Sequence, residues 1–333
     1  MTRQTRTIVF GITCIVAIAL PIAYVAFTRR AAPASASTAY VPLTRIKPGE
    51  RGVLFRSTVP DESFGKVAFV PLAHPESRWL LSNLACDRVY FQHGRGVCEA
   101  LDSTLLPPYA VFVFDDRFVP GEKRPLAGVP SRARISPDGR YAALTVFQSG
   151  HSYAETGFST ATTIHDAATG GALANLEVFK VSREGQEFSA IDFNFWGVTF
   201  ANDGNRFFAT LRTAGVNYLV EGDVAQRSAR VIHVGVECPS LSPNNQRIAF
   251  KKRISGSTTV FWQIAVLDLQ TNKETMVDWE KRSVDDQVDW LDDDEVVYHL
   301  PKSEGADIWA VSVDRAEPPR VLIAGGYSPS VVR

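Results

Sequence analysis

The stretch ISPDGRYAALTVF, residues 135–147, sets a proline, an acid and a glycine between two short apolar runs. The same phrase returns in altered form as TFANDGNRFFATL at 199–211 and SLSPNNQRIAFKK at 240–252. A chain that repeats a tight reversal must build one supersecondary unit several times over. Pro, Asn, Asp and Gly supply the backbone angles that such a reversal needs. Aligning on the turn gives six positions: IKPGERGVLF at 46–55, LACDRVYF at 84–91, the three just quoted, and WLDDDEVVYH at 290–299. Each precedes an apolar strand, then a strand often ending in Asp, then a polar strand. RIAFKKR through WQIAVLDLQTNKETMV, ending the third strand at Asp268, shows the pattern most completely. The unit length, roughly 40 to 65 residues, is that of a four-stranded propeller blade. From residue 40 onward short alternating or apolar runs are separated by Gly, Pro, Asn and Asp, with no sustained helical period. The expected fold class is therefore all-β, a six-bladed β-propeller over residues 40–333.

ISPDGRYAALTVF and LSPNNQRIAF resemble the WD40-like (PD40) repeat of the TolB-type β-propeller family, whose pattern places Ser-Pro-Asp-Gly before a strand. The resemblance covers roughly residues 40–333 and implies six blades. It also implies a periplasmic adaptor that binds partner proteins. TolB itself carries an α/β domain ahead of its propeller, and the short tether here is too brief to encode one. The particular partners of that family are therefore not carried over. The C-terminal YSPSVVR looks like the innermost-strand sequences VECPSLS and VPSRARIS. It is expected to join GVLFRST in the first blade, with residues 40–46 competing for that place.

The N-terminus reads as a targeting segment. MTRQTR is a cationic n-region, followed by the apolar run IVFGITCIVAIALPIAYVAF at 8–27. As a helix that run would cover about 30 Å, the thickness of a bilayer core. Residues 1–30 are expected to form an uncleaved signal anchor or transmembrane helix, with a cleaved signal and a buried core helix as alternatives. Residues 31–39 form a tether rich in Ala, Ser and Pro. The propeller is then placed on the periplasmic or extracellular side. Apart from the four arginines of the first thirty residues, the chain carries 31 basic against 36 acidic residues. That balance argues against a nucleic-acid partner. Cys86 and Cys98 flank DRVYFQHGRGV, read as a hairpin across which a disulfide could close in an exported compartment.

No G-x-S-x-G elbow occurs, and the six histidines stand singly, so neither peptidase chemistry nor a metal site is expected. No cofactor is expected either; DDQVDWLDDDE at 285–295 is the run that offers oxygen ligands, for calcium, without matching an EF-hand. Innermost strands of a propeller run roughly parallel, so their first residues converge on one channel mouth. This nominates Asn194, Trp196, Glu237, Asp285, Asp286 and Gln287 as a ligand or partner site. If they face a wet channel, truncating Glu237 or Asp286 should leave folding nearly unchanged. The excursion FQSGHSYAETGFS at 147–159 is a second candidate, through His151 and Tyr153. The tryptophans at 262, 279, 290 and 309 are expected to pack between blades. The leading functional expectation is a non-enzymatic protein-binding or scaffold module of the cell envelope. The alternative is a propeller-type lyase or lactonase with a cation in the channel.

Overall fold

The computed structural model describes residues 4, 5, 10, 13, 15–21, 40–106, 108–150, 153, 154, 157–254 and 260–333. It divides into residues 1–39 and Tyr40–Arg333. Within the first unit residues 15–21 are helical, and most of the apolar run 8–27 lies outside the described residues. Among those described, no helix is long and apolar enough to cross a membrane.

Tyr40–Arg333 is an all-β, six-bladed propeller. From axis to periphery, blade 2 runs Arg88–Gln92, Arg95–Leu101, Tyr109–Asp115 and Arg124–Pro125. Blade 3 runs Val129–Ile135, Tyr141–Ser149, Ser159–Asp166 and Ala172–Asn175. Blade 4 comprises Asn194–Phe200, Arg206–Thr213, Val216–Asp223 and Ser228–Val234. It is widened by the hairpin Lys180–Arg183 and Gln186–Phe188, which docks parallel on its outer strand. Blade 5 runs Glu237–Leu241, Arg247–Ile254, Phe261–Asp268 and Glu274–Met276. Blade 6 runs Asp289–Trp290, Glu295–Pro301, Ala306–Ser312 and Arg320–Ile323. Blade 1 holds both ends of the propeller's chain. Its innermost strand is Gly326–Val332, antiparallel to Gly52–Ser57, with Gly52 opposite Val332. Lys66–Pro71 and Leu80–Ala85 follow, and Val41–Pro42 lies parallel on the outer edge. The competition for the inner position is thus won by the C-terminal strand.

Four of the aligned turns join the first two strands of blades 3, 4, 5 and 6. In blade 3 the Ser136 hydroxyl donates to Asp138 Oδ1 at 2.6 Å and accepts from the Tyr141 amide, while Gly139 takes the left-handed φ of +70°. In blade 5 Ser242 and Asn244 repeat the geometry, with Asn245 at φ +59° in the glycine's place. The position at 46–55 precedes the second strand of blade 1, whose first strand arrives from the other end of the chain. The position at 84–91 is different. It is the connection from blade 1 into blade 2, and the true reversal there is His93–Gly94, both left-handed. That two-residue form needs positive φ twice, so it shares no Ser-Pro-Asp signature.

The turns also bond to one another. The Arg140 guanidinium donates to Asp203 O at 3.1 Å, Asn202 Nδ2 to Pro243 O at 2.8 Å, and the Asn244 amide to Asp293 Oδ1 at 3.0 Å. One face of the propeller is therefore stitched from blade 3 through blade 6. Strands end in Asp for a related reason. Asp166 accepts from the amides of Ala168 and Thr169, and Asp268 from those of Gln270 and Thr271, closing the next reversal.

The core lies between blades. One apolar cluster joins blades 3 and 4 through Ile164, Leu176, Phe195 and Phe207; another joins blades 5 and 6 through Ile264, Trp290 and Tyr298. Trp290 is fully buried and donates to Ser240 O at 2.8 Å, and Trp279 donates to Ser312 O at 2.7 Å. Both tie blade 5 to blade 6.

Cys86 and Cys98 are bonded, with Cα atoms 5.4 Å apart. The geometry is not that of a hairpin staple, because Cys98 stands opposite Val89 in the ladder. Cys86 instead lies in the connection leaving blade 1, its amide bonded to Gly65 O, so the bridge couples blade 1 to the second strand of blade 2. In the chain-entropy account a loop of this size contributes about 3 kcal/mol. Non-reduced peptide mapping should recover Cys86 linked to Cys98, and replacing both by Ser should lower unfolding free energy by about that amount. Alkylation of both thiols without reductant would exclude the bond.

Candidate functional site

The six innermost strands pack side by side in a closed ring. Four of them carry one extra residue near the rim where they begin, here called the leading rim. In blade 1 the shift lies between Tyr327 and Ser330, and in blade 3 between Pro130 and Arg132. In blade 4 it lies between Trp196 and Thr199, and in blade 5 between Glu237 and Ser240. Such bulges bend a strand and re-aim its side chains. In YSPS and VECPS the proline lies within the bulge, having no N–H to leave unpaired where the ladder breaks, whereas in VPSRA Pro130 stays opposite Val146 and Ser131 is the extra residue. Blade 4 uses Gly197 instead, at φ +66°; a Cβ there would stand 2.7 Å from the Cys238 Cα.

Beyond the bulges a cavity of about 280 Å³ opens at the leading rim. Blade 1 contributes Tyr327, blade 2 Arg88, and blade 3 Arg132 and Phe147. Tyr153 enters from the 147–159 excursion, Asp285 from the connection between blades 5 and 6, and His299 from blade 6. The two regions nominated from sequence are therefore one site. Tyr153 is buried, stacks on Trp196 with ring centres 5.3 Å apart, and bonds the Ser131 hydroxyl at 2.6 Å. Phe158 meets the same indole edge-on at 5.3 Å. His151 lies outside the described residues.

Charge in the mouth is arranged in pairs, with an excess. Lys251, 1% exposed, points between the rings of Tyr153 and Trp262, 4.7 and 4.4 Å from their centres, and its ammonium lies 2.5 Å from Asp285 Oδ1. Asp286 Oδ2 is 2.6 Å from His299 Nδ1 and also accepts the His299 amide at 3.1 Å. Burial would raise the Asp286 carboxyl, but His299, then Arg132 and Arg88, hold it well below the usual carboxylate range. Asp285 is lowered in the same sense: burial opposes ionisation, and Lys251 and Arg132 outweigh it. Glu237 goes the other way, pushed up by burial against the pull of Lys251, and accepts from Trp262 Nε1 at 3.3 Å. Behind this group Glu99 is fully buried with no hydrogen-bond partner on either oxygen, and burial pushes its carboxyl well up.

The remaining nominated residues do not face open solvent. Trp196 is completely buried within the Phe147, Tyr153 and Phe158 cluster, so it forms the wall behind the mouth. Asn194 is buried and accepts from the Thr160 amide and hydroxyl, tying blade 3 to blade 4. Gln287 sits deeper in the channel, donating to Pro239 O at 2.8 Å and Val198 O at 3.1 Å. Arg134 crosses from the other side to Gln287 O and Val288 O. A wet, unobstructed channel is thus not what forms; the axis is spanned by hydrogen bonds. The expectation that truncating Asp286 or Glu237 would be harmless is corrected accordingly, since both are buried with partners.

Sequence reasoning passed over Arg88, Arg132 and Lys251. Arg132 and Arg134 alternate in an innermost strand, and a period of two puts both on the axis. That signal was present in SRARI; Lys251, in RIAFKKR, carries none. A larger cavity, about 700 Å³, lies elsewhere, beside the outer hairpin of blade 4. Two of its cations, Arg206 and Arg230, are both paired with Glu221. Among the described residues no group of three or more His, Cys, Asp or Glu side chains is placed to hold a metal ion.

Asp286→Ala should lower unfolding free energy by about 3 kcal/mol, since it leaves the His299 amide without its buried acceptor and removes the carboxylate beside the ring. Because the folded carboxyl is depressed, wild type should hold this advantage at and above the ordinary carboxylate pKa near ~4. The difference between the two proteins should shrink as pH falls further. Urea titrations at several pH values measure both; an unaltered midpoint at neutral pH would show that the pair adds nothing.

The propeller is similar in structure to TolB from Acinetobacter baumannii, with a TM-score of 0.58 and 16% identity over 86% of this chain and 67% of that one. A TolB-type structure from Agrobacterium tumefaciens gives 0.52 and 13%, covering 84% and 91%. Tricorn protease gives 0.51 and 10%, covering 88% of this chain but 35% of its own length. Identities this low establish the TolB-like propeller fold and leave the chemistry to be argued from the site. No protein-family model matches the sequence, and no curated protein matches it.

Proposed function

We propose that this chain is a membrane-tethered, exported β-propeller that binds a partner protein of the cell envelope at the leading mouth of its channel. The observation that carries this reading is the concave mouth itself, where aromatic and charged groups from blades 1, 2, 3 and 6 converge on one cavity. The structure supports a binding role because that cavity is built on bulged inner strands and backed by a packed aromatic wall. Tethering rests on the apolar run 8–27 behind a cationic tail. The likeness to TolB lends weight to an envelope setting.

One observation favours the second reading, a lyase or lactonase. His299 and Asp286 form a close pair beside Arg132 and Tyr327, the ingredients of acid–base work. A channel cation would, however, have to compete with Lys251 for Asp285 and with His299 for Asp286. Binding is therefore the better-supported role.

The test is capture from detergent-solubilised envelope by the full chain and by its Tyr327→Ala variant. Tyr327 is half-buried at the rim, so the variant should melt within about 2 °C of wild type while retaining less than a tenth of the specific partner. Equal capture by both proteins would remove the mouth from the binding surface. A phosphatase reporter fused after Arg333 should be active in cells; a stable but inactive fusion would reverse the topology.

A further inference from the structure

The mouth contains two cations without an anion at contact distance. Arg88 and Arg132 both line the cavity, and among the described residues neither has a carboxylate within ion-pair distance. Arg132 is 7% exposed, its Nε has no partner, and the one hydrogen bond it donates goes to the neighbouring Ser131 carbonyl at 2.9 Å. Its guanidinium faces the Tyr153 ring at 5.4 Å, and that of Arg88 faces the Tyr327 ring at 4.7 Å. These aromatic contacts orient the two groups, and both side chains line the cavity. The nearby acids do not compensate them at contact. Asp285 is taken by Lys251 and Asp286 by His299, while the unpartnered Glu99 lies buried behind.

A buried cation without a counter-ion is strongly unfavourable unless something completes it. A guanidinium pair bordered by rings matches a planar carboxylate, which accepts paired N–H donors. A cavity of about 280 Å³ accommodates a side chain or a chain end and little more. Phe147 and Pro301 suit the apolar stem of such a group, and Ser283, Asp285 and His299 complete the lining. Resting on the binding role proposed above, we infer that the mouth receives a carboxylate presented by a polypeptide, clasped between Arg88 and Arg132. The carboxylate belongs either to an acidic side chain or to a chain terminus.

The two sources are separated with four small probes applied to the full chain in detergent at low ionic strength. N-acetylglutamate N-methylamide presents a side-chain carboxylate, and N-acetylphenylalanine presents a terminal one. The glutamine counterpart and N-acetylphenylalaninamide are their neutral controls. At about 50 mM, one acid should raise the melting temperature by about 2 °C while its amide does not, and the responding acid identifies the source. Arg132→Met and Arg88→Gln should each abolish the shift, whereas Lys180→Gln, on the outer edge of blade 4, should keep it. Arg132→Met also removes a charge that helps hold Asp285 and Asp286 ionised, so its own melting temperature is recorded beside the probe shift. If it melts lower than wild type, Arg88→Gln decides: loss of the shift sustains the proposal and its survival refutes it. Equal effects of acids and amides, or a shift that persists in Arg132→Met, would overturn the carboxylate site. Partner capture by wild type without any probe effect would sink this inference and leave the binding role standing. Probe binding without partner capture would do the reverse.

Discussion

Everything in this molecule depends on the pairing of Gly326–Val332 with Gly52–Ser57. A propeller blade cannot bury both of its faces alone, so each needs a neighbour on either side. The ring supplies that neighbour for every blade when its ends meet. Blade 1 is where they meet, and Val331, Phe55 and Ile308 of the junction are fully buried. The junction also sets the axis. The Ser330 hydroxyl accepts from the Phe91 amide and the Val331 amide reaches Asp289, linking the closing strand to blades 2 and 6. Without that strand, the inner rim would have a gap where Tyr327 now stands.

Ring closure explains why so much of the fold was legible in the sequence. Each blade needs a tight reversal on the same face, and the chain spells it with Ser136-Pro137-Asp138-Gly139 and its variants. The Pro-Ser of the innermost strands was visible too, although its meaning as a bulge was not. Where the sequence misled, a different turn chemistry had taken over, as at His93–Gly94, where two left-handed residues replace the longer motif. The disulfide partners could be named because they are close in sequence. That they join two blades follows from the ladder register, which no local pattern encodes.

The site was only half legible, for a physical reason. Convergence on the axis is a property of strand order, so first residues of inner strands could be nominated. Whether those residues meet water or protein depends on how close the six strands come, which is set by bulges and by contacts such as Gly197 against Cys238. Three nominated groups became ties: Asn194 to Thr160 and Gln287 to Pro239 between blades, and Asp286 to His299 at the entry to blade 6. Facing the cavity beside Asp285 are two longer side chains that were not nominated, Arg88 at the start of its strand and Arg132 further along its own. Polar burial at this level is expensive, and it persists here because nearly every member finds a partner.

The two faces of the ring are not equivalent, and this bears on how such a scaffold can change over generations. On one face the turns of blades 3 to 6 hold one another through Arg140, Asn202 and Asn244, so an inserted or deleted residue would break a bond in the next blade as well as its own. On the other, Thr58 and Ala306 tie the corresponding segments of blades 1 and 6, and the excursion at 147–159 supplies Tyr153 and Phe158 to the wall of the mouth. Variation in length is therefore resisted where blades 3 to 6 are stitched, while the cavity side already carries the long excursion at 147–159. A lineage built on this frame can acquire new specificities by lengthening loops around a fixed rim, and a protein engineer can graft there for the same reason.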